Sequence, residues 1–215
     1  MMNKLIIVGA GQQGKVCKRL AEKKGFKIAG FVDEFKDGYF ENVPIYKNIQ
    51  GIKEFKSFYY FLAFGEMKPR ARYFDLLKKL KLETINLIDD DAIIEEGAVI
   101  GNGNYISKGS IIFSSATIGD FNIINCNAVI ATDVKIGDNN NISLGCNICG
   151  GTIIGDNCYI GCNASVTSGY KIGNNVTIGA GAVVLNDVED NVFVCGIPAV
   201  QKKRKYRYDT SKPSA

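Results

Sequence analysis

The chain has 215 residues, 46% of them hydrophobic, and a formal net charge of +4. That length supports one large core or two small ones, and so small a positive charge does not indicate nucleic acid as a partner. No run approaches the roughly 18 apolar residues of a membrane span, and the absence of histidine excludes every mechanism that needs an imidazole.

In chain order, Lys4–Val8 reads as a strand that passes directly into Gly9-Ala10-Gly11-Gln12-Gln13-Gly14. An apolar run ending in a glycine turn is a buried strand rather than a signal peptide. With seven cysteines and no secretory segment, the expected setting is a reducing cytoplasm. A helix is expected over Lys15–Lys24 and a second strand over Phe26–Val32, ending at Asp33-Glu34. Strand, G-x-G-x-x-G, helix, strand and acid form a phosphate-binding unit, with backbone N–H groups at the turn and helix start facing the anion. The acid lies 19 residues after Gly14, near the spacing of a ribose ligand. A third strand over Tyr59–Phe64 ends at Gly65, and a helix over Arg70–Lys81 follows. Fewer than 90 residues leave room for about one half of a dinucleotide fold, which favours a mononucleotide unit over NAD.

From Ile88 to Val184 every sixth residue is Ile or Val, without an insertion. A period of six suits neither an α-helix nor a hairpin, but it suits a parallel β-helix of stacked short strands. Gly101, Gly119, Gly137, Gly155 and Gly173 recur every 18 residues, each after Ile and before Asn or Asp. Eighteen is three sixes, so the cross-section is a triangle, and the I-G-[DN] unit is expected to mark one corner, where Gly and Asn tolerate the left-handed backbone of a sharp turn. Small residues two before the aliphatic, among them Ala116, Ala128, Cys146, Cys158 and Ala164, fit where two faces meet. Cys146 and Cys149 with Cys158 and Cys162 hint at a metal. The hexad frame points their thiols in different directions, so no metal is expected. The expected organisation is an α/β nucleotide-binding domain at 1–87, a β-helix at 88–200 and a basic tail at 201–215. No long loop interrupts the coils, so a site must lie between coils or between subunits. Exposed apolar groups on flat faces predict an oligomer.

Both halves together resemble the bacterial nucleotide-amino-sugar N-acetyltransferases, related to the sialic-acid O-acetyltransferases. The likeness covers about residues 4–200. It rests on the G-A-G-x-x-G-K opening, Val32-Asp33-Glu34, Gly65 to Arg70, the uninterrupted hexads and the ending Val194-Cys195-Gly196-Ile197-Pro198-Ala199. The resemblance implies a small Rossmann-like domain followed by a left-handed β-helix, a homotrimer, and acetyl-CoA between neighbouring β-helices. It implies acetyl transfer to the amine of a UDP- or dTDP-linked amino sugar, used in glycan or polysaccharide precursors. It further implies that Gly11, Gln12, Gln13, Asp33, Glu34 and Gly65 line the nucleotide pocket, and that Gly150, Cys162, Ala164 and Ala180 flank the acetyl-CoA groove.

The chain departs from the family at its histidines. Thr132 stands where the family places its general base, Asn141 where a histidine touches the thioester, Asp89 where a third precedes the coils, and Gln13 in the glycine loop. Thioester aminolysis still needs a positioned neutral amine, an oxyanion donor and a route for the proton. An amine does without a base more readily than a hydroxyl, so the missing histidine disfavours O-acetylation. Asp133 is the candidate proton acceptor, Thr132 a group that orients the amine and Asn141 a donor to the thioester oxygen. Two alternatives stand beside this reading. One is transfer of another acyl group or to a hydroxyl; the other is a binding protein that keeps the fold without the chemistry.

Overall fold

The computed structural model describes residues 3–203. Its first part is a five-stranded sheet built from Lys4–Val8 (β1), Lys27–Val32 (β2), Tyr39–Phe40 (β3), Val43–Tyr46 (β4) and Tyr59–Leu62 (β5), in the order β3-β4-β2-β1-β5. The strands β4, β2, β1 and β5 run parallel and β3 pairs antiparallel at the edge. Side chains alternate across a strand, so β1 serves two layers. Leu5 and Ile7 pack with Cys17 and Leu20 of the helix Gln12–Lys23 (α1). Ile6 and Val8 pack with Tyr73 and Leu77 of the helix Met67–Leu80 (α2). Both helices begin three residues before their expected starts. Helix α1 absorbs Gly14 because a Cβ there would lie 2.2 Å from the Gly9 carbonyl oxygen, so packing against the loop, not helix propensity, sets its residue.

The second part is a left-handed β-helix. Its first face carries two-residue strands from Leu87–Ile88 through Tyr105–Ile106, Ile123–Ile124, Asn141–Ile142 and Tyr159–Ile160 to Thr177–Ile178, then Phe193–Cys195. The second face runs from Ile93–Ile94 to Val183–Val184 and the third from Val99–Ile100 to Lys171–Ile172. Each strand pairs in parallel with the strand one coil on, as Ile111 with Val129 and Thr117 with Lys135. The hexad aliphatics fill the lumen: Ile106, Ile124, Ile130, Ile142 and Ile160 are fully buried, with Ala116, Ala128, Cys146, Cys158 and Ala164 beside them. Ile88, Ile94 and Ile100 of the first coil are only partly buried, because no coil covers them from below.

One expectation for the corners is corrected. Gly101, Gly119, Gly137, Gly155 and Gly173 are not the left-handed residues. The positive φ falls two residues later, at Gly103, Phe121, Asn139, Asn157 and Asn175, and recurs at every corner with a six-residue period. The repeating glycine answers to close approach instead. A Cβ on Gly119 would meet the Asp138 carboxylate at 2.4 Å and the Gly137 carbonyl at 2.8 Å. The residue after each glycine forms a ladder: the N–H groups of Asn102, Asp120 and Asp138 donate to the carboxylates of Asp120, Asp138 and Asp156 at 2.7–2.8 Å. A second ladder runs inside. Asn122 Nδ2 donates to the Gly137 carbonyl at 2.9 Å, and its Oδ1 accepts from the Asn140 N–H at 2.8 Å. Asn104 repeats the pattern one coil earlier. The rung after Asn140 is Cys158, whose thiol donates to the Gly173 carbonyl at 3.0 Å.

Beyond the coils, Val200–Gln201 pairs antiparallel with Phe193–Cys195, so Gln201 belongs to a strand rather than to a tail. Lys202 and Lys203 are exposed, and the rest of the expected basic tail, 204–215, lies outside the described residues. Among the described residues no helix is long and apolar enough to cross a membrane.

Candidate functional site

The six residues expected at a nucleotide all fall at the C-terminal edge of the parallel sheet: Gly11, Asp33, Glu34 and Gly65 on the loops after β1, β2 and β5, and Gln12 and Gln13 in the first turn of α1. The glycine loop divides by role. Gly9 has φ +111° and its Cβ would lie 2.8 Å from the Ala63 carbonyl oxygen, whereas a Cβ on Gly11 would meet nothing within 4 Å. Gly9 and Gly14 serve the fold, and Gly11 leaves open space where the sequence places a phosphate. Gly11 is also the N-cap of α1, without a side-chain cap and without an acid in the first turn, which leaves the positive end of the helix facing that space.

The two acids after β2 separate. Asp33 is committed to its own loop: Oδ2 accepts from the Ala10 N–H at 3.2 Å, and Oδ1 from the N–H groups of Phe35 and Lys36 at 3.0 and 3.2 Å. It shapes the glycine loop and has little capacity left for a ribose. Glu34 faces outward. Its Oε1 accepts from the Tyr73 hydroxyl at 3.1 Å and pairs with the Arg72 guanidinium at 2.7 Å. Burial and the neighbouring carboxylate push the Tyr73 phenol up to about 12. Glu34, Lys47, Asn48, Ile49, Arg72 and Tyr73 line a cavity of about 490 Å³ between the end of β4 and the start of α2. Arg72, Tyr73 and Lys47 were not expected from the sequence, since nothing in their spacing ties them to Glu34. Gln13 turns its amide inward, to the Cys17 sulfur at 3.6 Å.

Asn141 connects the two parts. Its Nδ2 donates to the Gly65 carbonyl at 3.2 Å and its Oδ1 accepts from Asn125 Nδ2 at 3.1 Å. In this conformation one Nδ2 hydrogen of Asn141 goes to the Gly65 carbonyl and Oδ1 accepts from Asn125, leaving the second Nδ2 hydrogen for another acceptor. Thr132 and Asp133 are exposed at the corner between the second and third faces, and Asp133 holds the left-handed position with φ +61°. Nine residues are half of an 18-residue coil, so Asn141 sits across the prism from Thr132, and a single chain does not bring them together.

The groove residues also lie on separate edges. Gly150 stacks on Thr132, with a Cβ position 3.2 Å from the Thr132 carbonyl oxygen. Cys162 stacks on Ala180 at the corner between the first and second faces, where the Gly181 N–H donates to the Cys162 carbonyl at 2.8 Å. Ala164 is a correction. It faces the lumen with no exposed surface. Its N–H bonds the Gly161 carbonyl and its carbonyl accepts from Asn147, so it has nothing to offer a ligand. Cys146 and Cys158 are likewise lumen residues, with burial pushing each thiol up to about 11.

Comparison with known proteins agrees with this architecture. Residues 4–77 match the PglD N-terminal domain family, and residues 151–186 match the bacterial transferase hexapeptide (six repeats) family. The chain is similar to the crystal structure of a histidine-to-alanine mutant of GDP-perosamine N-acetyl transferase from Caulobacter crescentus in complex with CoA and GDP-perosamine. The TM-score is 0.86 at 26% identity, over 94% of this chain and 98% of that one. It is similar to the acetyltransferase domain of PglB from Neisseria gonorrhoeae FA1090 in complex with acetyl coenzyme A, with a TM-score of 0.86 at 27% identity, over 94% of this chain and all of that one. An uncharacterized protein of Acanthamoeba polyphaga mimivirus is 32% identical over 116 residues, 54% of this chain. The chain matches about a quarter of that curated relative's length, 23%.

Proposed function

Since the chain belongs to the hexapeptide-repeat acyltransferases that carry a PglD N-terminal domain, we propose that it transfers acetyl from acetyl-CoA to the amine of a nucleotide-linked amino sugar. The reading rests foremost on one arrangement: a nucleotide-type sheet edge is fastened to the outer face of a β-helix through Gly65 and Asn141. The nucleoside lies towards Glu34 and the cavity beside it. Its diphosphate faces Gly11 and the first turn of α1. The sugar then extends past Gly65 towards the coils.

The reaction joins the amine nitrogen to the acetyl carbon, breaks the thioester C–S bond, and leaves one proton to remove from nitrogen as the thiolate takes one up. Asp133 accepts that proton directly or through water, and Thr132 orients the amine. Both act from the edge they share with Gly150. Because that edge and the Cys162–Ala180 edge are separated by the whole second face, the groove forms between copies of a homotrimer. One copy contributes one edge and its neighbour the other. Small residues on both edges allow close backbone approach by a slender ligand. Amine acceptors are favoured over hydroxyls, because without histidine no strong base is present to activate a hydroxyl. The setting is cytoplasmic, where acetyl-CoA and nucleotide sugars occur.

The test is thiol release from acetyl-CoA with a panel of GDP-, UDP- and dTDP-linked 3- and 4-amino sugars. Release with one of them establishes reaction and acceptor together. Verified acetyl-CoA binding with no release across the panel would overturn the acetyltransferase reading in favour of a binding protein.

A further inference from the structure

Helix α2 meets the β-helix through one stripe, Arg70, Phe74 and Lys78, spaced four residues apart and therefore on one face. Phe74 packs edge-on against Phe121 with ring centroids 4.8 Å apart. Lys78 lies 3.4 Å from the carboxylates of both Asp120 and Asp138. Arg70 Nε donates to Asn139 Oδ1 at 2.7 Å, and Nη2 to the carbonyls of Asn139 and Asn140 at 2.9 and 3.0 Å. The stripe therefore docks on one corner column, whose left-handed positions one coil apart are Phe121 and Asn139.

Two features of this joint are unusual for simple packing. Phe121 adopts φ +56°, a left-handed conformation that a bulky residue enters only under strain. Arg70 is 1% exposed, pairs with no carboxylate among the described residues, and its Nη1 is buried without a hydrogen bond to any of them. A buried guanidinium is a poor source of stability, since an apolar side chain of similar size commonly serves as well or better. What a guanidinium does supply is a planar fork with fixed directions. Here the fork grips Asn139 and Asn140, the two residues immediately before Asn141, while Arg70 itself follows Gly65 by five. Gly65 and Asn141 also bond across the joint.

We propose that Arg70 is a positioning residue: its fork sets the α/β domain on the β-helix so that Gly65 and Asn141 stay in register, and the sugar held through its nucleotide reaches the coils at one fixed depth. The proposal rests on the acetyltransferase reading for its consequence in turnover, but not for its structural content. Arg70 touches no reacting atom in this arrangement. It determines which acceptor geometry is productive rather than how the bond is made.

The experiment compares the full-length chain with Arg70→Lys, which keeps the charge and loses the fork, and Arg70→Met, which keeps the length and loses both. The first readout is hydrogen exchange of the α2 backbone, alongside thermal unfolding and titration with nucleoside diphosphate. Both variants are expected to exchange more than tenfold faster in the first two turns of α2, to unfold cooperatively, and to bind the diphosphate within about twofold of the parent. The second readout is kcat for the nucleotide-linked sugar against the rate for the same amino sugar without its nucleotide. The linked substrate should lose at least tenfold, with KM for acetyl-CoA unchanged, while the unlinked sugar, which does not use the domain register, keeps its rate. Unchanged α2 exchange in both variants would overturn the proposal, as would Arg70→Lys retaining full kcat on the linked substrate. A parent chain inactive on every sugar would sink the acetyltransferase reading alone, and the exchange comparison would still decide the role of Arg70.

Discussion

Asp33 and Glu34 are neighbours of the same charge type, yet one is bonded by three backbone N–H groups and the other faces a cavity. The difference lies in which oxygen the loop needs, and adjacent positions in a sequence do not reveal it. Asp133 is the corresponding question on the coils. As the proposed proton acceptor, Asp133→Asn should lower turnover more than tenfold in a steady-state assay while leaving acetyl-CoA binding intact. Unchanged turnover would show that the amine needs no protein base. The cysteines offer a test of placement. Burial raises Cys17 to about 12 and Cys146 and Cys158 to about 11, whereas Cys126, Cys149, Cys162 and Cys195 keep partial exposure. A disulfide reagent at pH 8 should therefore titrate those four thiols in the native chain and the three buried ones only after denaturation. Saturating desulfo-CoA should slow the alkylation of Cys162 specifically; equal rates with and without it would remove Cys162 from the groove. The raised thiols also set a sign for stability. Their folded values exceed the unfolded value of 9.0, so their contribution is complete below pH 9. It is lost as pH rises towards 11 and 12.

At the scale of elements, each two-residue strand is far too short to stand alone. It persists because coils above and below supply its hydrogen bonds and because the lumen aliphatics are fully buried. Truncating one of them, such as Ile130, belongs to the class of core deletions that cost roughly 2–5 kcal/mol. The asparagine ladder carries a comparable load. Asn122→Ala removes a donor to the Gly137 carbonyl and an acceptor for the Asn140 N–H, at about 1–3 kcal/mol for each buried group left unpaired. Denaturant titration should show that loss with the slope of the transition preserved. A loss below about 0.5 kcal/mol would mean that water replaces the rung. The hexad period made the strands and their inward residues legible, because periodicity follows directly from stacking. The left-handed corner was misplaced by two residues, because glycine has two uses, freedom in φ and close approach, and only coordinates distinguish them.

For the whole molecule, the proposed groove needs neighbouring copies, and the outer faces carry the means for association. Val99 and Ile153 stand on the third face with 60% and 38% of their surfaces exposed. Ile153 pairs with Lys135 on one side and Lys171 on the other, so Ile153→Glu places a carboxylate between two cations within its own coil stack and should leave the monomer folded. Combined with Val99→Glu it should turn a trimer into a monomer in sedimentation, and acetyl-CoA binding should fall with it. A monomeric variant that still binds acetyl-CoA would show that one chain builds the groove alone.

The repeat of six, its triple of eighteen and the glycine loop were enough to determine the two-part fold, since each reports a local rule: stacking, closure of a triangle, and backbone approach to phosphate. The same local rules placed the residues expected at a nucleotide along one sheet edge. What the tertiary structure alone decided is how the parts address each other. The spacing of Arg70, Phe74 and Lys78 puts them on one face, but only the tertiary structure sets that face against the corner column and turns the Asn141 amide to the Gly65 carbonyl. Ala164, which the resemblance placed at a groove, turns inward. Contacts between elements far apart in the chain depend on shape and register summed over many residues, and no spacing within either partner encodes them.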